Sequence, residues 1–159
     1  MKHTLSVTVA NEAGVLVRIA GLFSRRGFNI NSLAVGKTES DDISRITLVV
    51  EGTDETLEQV VKQLNKLIVV HKISDLTNVS AIDRGLALIK VKADIDDRSE
   101  VMQIVNTFRG KVVDVAQDSV TIEITGEKEK INALEDLLRP FGILELVRTG
   151  QIALARGKK

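Results

Sequence analysis

The sequence predicts an α+β chain built from two β-α-β-β-α-β units in tandem. Three observations carry that reading. Apolar residues alternate with polar ones at Leu5, Val7 and Val9, and again at Ala87, Ile89, Val91 and Ala93, the period of a strand with one buried face. Each alternation is followed by apolar residues at helical spacing, Val15 to Phe23 in the first case and Val101 to Phe108 in the second. Between the halves, from Asn78 to Gly85, the pattern lapses and then restarts in the same order.

The elements follow in order. Strand one spans His3 to Val9, with Thr4, Ser6 and Thr8 on its polar face. The first helix buries Val15, Leu16, Ile19, Ala20, Leu22 and Phe23, leaves Arg18, Ser24, Arg25 and Arg26 off that stripe, and stops at Gly27, which can take the left-handed conformation of a helix end. Phe28 and Ile30 keep one parity in the second strand and Leu33 and Val35 the other, so a bulge is expected near Asn31–Ser32. A polar turn, Glu39 to Asp42, leads to the strand of Ile46, Leu48 and Val50, which ends at Gly52. Thr53–Asp54 supplies capping side chains for a helix on Leu57, Val60, Val61, Leu64 and Leu67, and Ile68 to Leu76 reads as a fourth, half-polar strand. This order is the ferredoxin-like one, in which two helices cover one face of an antiparallel sheet.

The second half repeats it with little identity. After the strand at Ala87–Ala93, Asp97 and Glu100 resemble a capping box, and Gly110 closes the helix of Val101, Ile104, Val105 and Phe108. Lys111 to Thr125 reads as a hairpin turning near Gln117–Ser119. Ile131, Leu134, Leu137 and Leu138 make the fourth helix, closed by the single proline, Pro140. Ile143 to Leu154 reads as one final strand. The expected division is residues 1–77, a linker at 78–85, a second domain at 86–155 and a disordered tail at 156–159.

Composition narrows the functional classes. Hydrophobic residues make up 43% and charged residues 28% of the 159, as in soluble globular proteins. Lys plus Arg and Asp plus Glu stand at 22 each, so no net field draws nucleic acid or an anionic membrane. There is no cysteine, hence no disulfide, thiolate metal site or cysteine nucleophile, and no apolar run approaches the ~20 residues of a membrane span. A cytoplasmic protein is expected. Catalytic equipment is thin: His3 and His71 are the only histidines, and no nucleophile–base spacing is present. Asp94, Asp96 and Asp97 lack the further ligands of a metal loop, so no metal is expected.

The stretch Asn11 to Ser32 concentrates the functional signal. Gly14 precedes the first helical turn, where early N–H groups are uncovered and no side chain shields them. Such a helix start suits an anion. A free amino acid offers a carboxylate there, and its ammonium needs acceptors; Asn11 and Asn29 supply amide donors and acceptors without net charge, and Leu16, Ile30 and Leu33 suit an aliphatic side chain. The residues alone allow a plainer reading, in which Asn11 caps the turn and Gly14 only permits its backbone angles. Two other functions of this fold fit poorly. An RNA-binding module stacks bases on sheet aromatics, and only Phe28 lies in a predicted strand. An acylphosphatase-like enzyme needs an arginine in the turn after the first strand, where Asn11 and Glu12 stand instead.

The run N-E-A-G-V-L-V-R-I-A-G-L-F-S-R-R-G-F-N-I-N-S-L resembles the N-terminal ACT domain of the regulatory (small) subunit of acetohydroxyacid synthase, also called acetolactate synthase. The resemblance continues through Arg45, Leu57, Q-L-N-K-L at Gln63–Leu67, F-R-G at Phe108–Gly110, V-R-T-G at Val147–Gly150 and the closing A-R-G. It implies an ACT domain at residues 1–77 that binds valine or another branched-chain amino acid and forms a homodimer. By position, Asn11, Gly14, Val15 and Leu16 would come from one subunit and Asn29 and Ile30 from its partner, joined through the edge strand. It further implies that this chain has no catalysis or cofactor of its own. It would activate a catalytic (large) subunit carrying thiamin diphosphate, Mg2+ and FAD, and make it valine-sensitive. Val17 and Asn31 depart from the family pattern beside the expected pocket, which leaves valine, leucine and isoleucine as alternative effectors.

Overall fold

The computed structural model describes residues 1–157. It divides into a first unit, Met1–Ile82 together with the segment from Gly150 onward, and a second, Asp83–Thr149. In the first unit, β1 (Lys2–Ala10), β2 (Asn29–Lys37), β3 (Ile43–Glu51) and β4 (Val70–Asp75) form an antiparallel sheet in the order β2-β3-β1-β4. The helices α1 (Val15–Arg25) and α2 (Asp54–Asn65) supply the cover for one face. The alternation in β1 and β3 sends Leu5, Val7, Val9, Ile46, Leu48 and Val50 into a core completed by Ile19, Phe23, Val60 and Leu64. The bulge in β2 falls between Ile30 and Ser32, where the buried parity changes. Thr53 caps α2, its hydroxyl accepting from the Thr56 N–H at 3.2 Å. Gly27 takes the left-handed conformation after α1, at φ 79°.

Phe23 and Phe28 pack edge to face with ring centroids 5.8 Å apart. The Phe28 ring lies over Gly52, where a Cβ would come 2.2 Å from Phe28 Cε1. Gly52→Ala is therefore expected to destabilise the protein by about 1–3 kcal/mol through overpacking. Gly36→Ala, with nothing within 4 Å of the added carbon, should change stability little. Denaturant unfolding of the two variants checks this, and equal stabilities would refute the packing argument.

In the second unit β5 (Ala81–Lys92), β6 (Lys111–Val115), β7 (Ser119–Gly126) and β8 (Ile143–Arg148) pair in the order β6-β7-β5-β8. With α3 (Ile95–Thr107) and α4 (Lys128–Leu138) they give the same β-α-β-β-α-β order, around Ile89, Val91, Val105, Ile122, Ile124 and Leu134. The fold is thus α+β with two ferredoxin-like units. Among the described residues, no helix is long and apolar enough to cross a membrane.

Several boundaries differ from the sequence reading. Residues 81–85 are the start of β5 and not linker. Helix α3 begins at Ile95 with Asp94 at its N-cap, so Asp97 lies inside the first turn and forms no capping box. The left-handed residue after α3 is Arg109 at φ 59°, while Gly110 serves close packing: a Cβ there would meet Val105 at 3.1 Å. The expected final strand is two, β8 and β9 (Ile152–Ala155), and β9 belongs to the first unit. Thr149 ends β8 by donating its N–H to Leu86 O at 2.9 Å and accepting the Leu86 N–H on its hydroxyl, also at 2.9 Å. Gly150 then lies against the Leu33 backbone, where a Cβ would come 2.2 Å from the carbonyl oxygen. Gln151 N–H donates to Ser32 Oγ at 2.8 Å. Arg156, expected in a disordered tail, donates its N–H to Ser80 O at 2.8 Å. Lys158 and Lys159 of that tail lie outside the described residues.

Candidate functional site

The turn between β1 and α1 has the features expected of a helix-start anion site. Gly14 is the N-cap of α1 in the left-handed conformation, φ 84° and ψ −9°, with no side-chain cap and no acidic residue in the first turn. A Cβ on Gly14 would meet nothing within 4 Å, so the space in front of the helix start is open. The N–H groups of that first turn therefore face outward with the positive end of the helix dipole behind them. Val15 is buried, which leaves only its backbone for a ligand, while Leu16 is partly exposed beside the turn.

Asn11 does not cap α1. Its backbone N–H donates to Asp42 O at 2.8 Å and its Nδ2 to Asp41 O at 2.9 Å, so it fastens the β2–β3 turn to the end of β1. Its Oδ1 has no donor among the described residues and remains an acceptor at the mouth of the turn. The contact with Asp41–Asp42 was not legible from spacing; the polar run Glu39–Asp42 was the one signal of a turn there.

Asn29 and Ile30 lie elsewhere in the same chain. Asn29 pairs with Glu51 at the far end of β3, whereas Asn11 follows Ala10, which pairs with Ile43 at its beginning. At ~3.3 Å per residue these ends are roughly 25 Å apart. The Asn29 Nδ2 donates to Asn31 Oδ1 at 2.7 Å, and Asn31 Nδ2 reaches Glu51 Oε2 at 3.4 Å across the bulge. The chain thus brings Asn11, Gly14, Val15 and Leu16 together and keeps Asn29 and Ile30 apart from them.

The remaining candidates keep structural roles. Arg18 and Arg25 are exposed on α1, and Arg26, just beyond its end, is exposed and reaches Gln59 Oε1 at 3.4 Å. His3 is buried with its Nε2 3.2 Å from Asp54 Oδ1. The Asp97 carboxyl is held above its usual range by partial desolvation and then by the neighbouring Asp94 carboxylate. Among the described residues, no three carboxylate or histidine groups are placed to hold a metal ion.

Family models match both parts of the chain. Residues 5–72 match an AHAS small subunit-like ACT domain, and residues 84–157 match the small subunit of acetolactate synthase. A probable acetolactate synthase small subunit of Archaeoglobus fulgidus is 55% identical over 159 residues, covering 100% of this chain and 99% of that protein. The chain belongs to the acetolactate synthase small-subunit family. The acetolactate synthase small subunit of Mycobacterium bovis is 54% identical over 157 residues, 99% of this chain and 94% of that one. The crystal structure of the small subunit from Thermotoga maritima superposes with a TM-score of 0.90 at 41% identity, covering 100% and 99% of the two chains. In this small-subunit family member the first unit is the ACT domain, and the Gly14 turn lies within it.

Proposed function

We propose that this chain is the non-catalytic regulatory subunit of an acetolactate synthase, acting in the cytoplasm. It activates a thiamin-diphosphate-dependent catalytic subunit and makes it sensitive to valine or another branched-chain amino acid. The observation that carries the effector reading is the uncapped start of α1 at Gly14, open in front and flanked by the neutral amide of Asn11. A zwitterion needs donors at one end and acceptors at the other with no net charge between, and this turn supplies both. A catalytic subunit as partner follows from the family, whose members are named as small subunits. The thiamin diphosphate, Mg2+ and FAD of the reaction belong in this reading to that subunit.

The separation of Asn29 and Ile30 from Gly14 supports a homodimer through β2. That strand is a sheet edge. Pairing with its own copy about a twofold axis runs the two strands antiparallel, so Asn29 of one protomer faces the Lys37 end of the other. Lys37 pairs with Ser44, beside the Asp41–Asp42 turn that Asn11 holds. Asn29 and Ile30 of the partner subunit then complete the pocket at Gly14.

Valine should raise the melting temperature of the purified chain, with about 2.7 kcal/mol of stabilisation at a hundred times its dissociation constant. Leucine and isoleucine should do so in the order of their fit, and lysine and glutamate should not. No shift with any aliphatic amino acid at saturation removes the effector reading.

A further inference from the structure

We propose a second ligand site in the first unit, an anion pocket for a phosphate group on the sheet face opposite the helices. The residues that alternate outward in β1, β3 and β4 stand in two cross-strand rows. Thr8 pairs with Arg45 on one side and Lys72 on the other, and Ser6 pairs with Thr47 and Ser74. With strands ~4.8 Å apart, two cations flank one hydroxyl, and a hydroxyl row lies next to them. The segment Ala153–Ala155 with Gly157 lines the same open cleft of about 320 Å3, together with Leu76. All of its lining residues belong to the first unit.

The charges of this pocket are unbalanced. Neither Arg45 nor Lys72 forms an ion pair among the described residues. The Arg45 Nε is withdrawn from solvent and has no hydrogen-bond partner among the described residues, the mark of a donor awaiting an acceptor. Among the described residues the Thr8 hydroxyl makes only a long bond, 3.4 Å, to Lys72 O, so it can turn to donate elsewhere. Two cations and three hydroxyls (Ser6, Thr8 and Ser74) outnumber the acceptors of a carboxylate. They match the dianionic charge and several acceptor oxygens of phosphate, which arginine binds with its planar fork. This site lies on the opposite sheet face from the helices and shares no residue with the Gly14 turn, so it stands or falls independently of the amino-acid effector.

Amide NMR of the 15N-labelled full chain, titrated with sodium phosphate at constant ionic strength, tests the assignment. Saturable shifts are expected at Ser6, Thr8, Arg45 and Ser74. Lys72→Met and Thr8→Val should each weaken them by about tenfold or more. Lys62→Met, on α2, should leave them unchanged, and all three variants should keep the wild-type spectrum elsewhere. Glycerol phosphate distinguishes the source: saturation at the same amides assigns a phosphomonoester, and exclusion confines the pocket to free phosphate. Shifts that fail to saturate, that persist undiminished in Lys72→Met, or that succinate produces more strongly than either phosphate would overturn the proposal. Valine-induced shifts in the same variants report on the Gly14 turn separately.

Discussion

Gly14→Asp should leave the protein folded and weaken valine binding by roughly a hundred- to a thousandfold. An aspartate side chain would enter open space, since nothing lies within 4 Å of the added Cβ. It would also place a negative charge about 4 Å from the ligand carboxylate, a repulsion of about 4 kcal/mol at an effective dielectric near 20, reduced by solvent at this exposed turn. The left-handed backbone at φ 84° adds strain of about 1 kcal/mol, modest because Asp and Asn tolerate that region better than most residues. A negative charge at a helix start is otherwise favourable, so folding survives. Gly14→Asn carries the same strain and size without the charge and separates the two effects. Calorimetric titration should show binding nearly lost in the first variant and largely kept in the second. With the catalytic subunit present, Gly14→Asp should stimulate activity but no longer transmit valine inhibition. A folded Gly14→Asp chain that binds valine normally would exclude this turn as the effector site.

The elements that sequence periodicity predicted are those whose cause is local. The stripe Val15, Ile19, Phe23 is buried along α1, and the parity change at Asn31 is a bulge in β2. Thr53 caps α2 because its side chain and the N–H it serves are three residues apart. The errors have distant causes. Ile143 to Leu154 reads as one strand because nothing nearby signals that Gly150 must lie on the backbone of Leu33, or that Gln151 bonds a serine 119 residues away. The spacing starts α3 near Asp97 because its first turn shows no apolar stripe, and in the structure Ile95 is accordingly 84% exposed. Gly110 follows the helix as its spacing predicts, yet its missing side chain admits Val105, and the positive φ falls to Arg109.

The site divides along the same line. Gly14 was legible because an uncapped helix start is a feature of a few consecutive residues. Asn11 was legible as a polar group at the turn, but its grip on Asp41–Asp42 depends on where β3 begins. The row Arg45–Thr8–Lys72 comes from three strands, and only register brings it together. Polar alternation in β1 announced an outward face without saying what would lie on it.

Mixing two defective chains should restore valine binding that neither has alone. Asn29→Ala removes an amide proposed to face the ligand from across the dimer, and loss of a hydrogen bond to a charged group costs about 1.5–3 kcal/mol, roughly ten- to a hundredfold in affinity. Asn29 is exposed and its side-chain hydrogen bond goes to its neighbour Asn31, so the fold tolerates the change. Gly14→Asp damages the other half of the pocket and leaves Asn29 intact. In a mixed dimer, one pocket combines both damaged halves and the other combines the sound turn of the Asn29→Ala chain with the sound strand of the Gly14→Asp chain. Random exchange of subunits makes about half the dimers mixed, so about a quarter of all pockets should bind with wild-type affinity. Titration at a valine concentration too low for either variant reads this fraction directly. If each pocket were built within one protomer, mixing would restore nothing, because every turn would stay joined to its own strand. A mixture that binds no better than its components therefore removes the shared site, even if both single variants behave as expected.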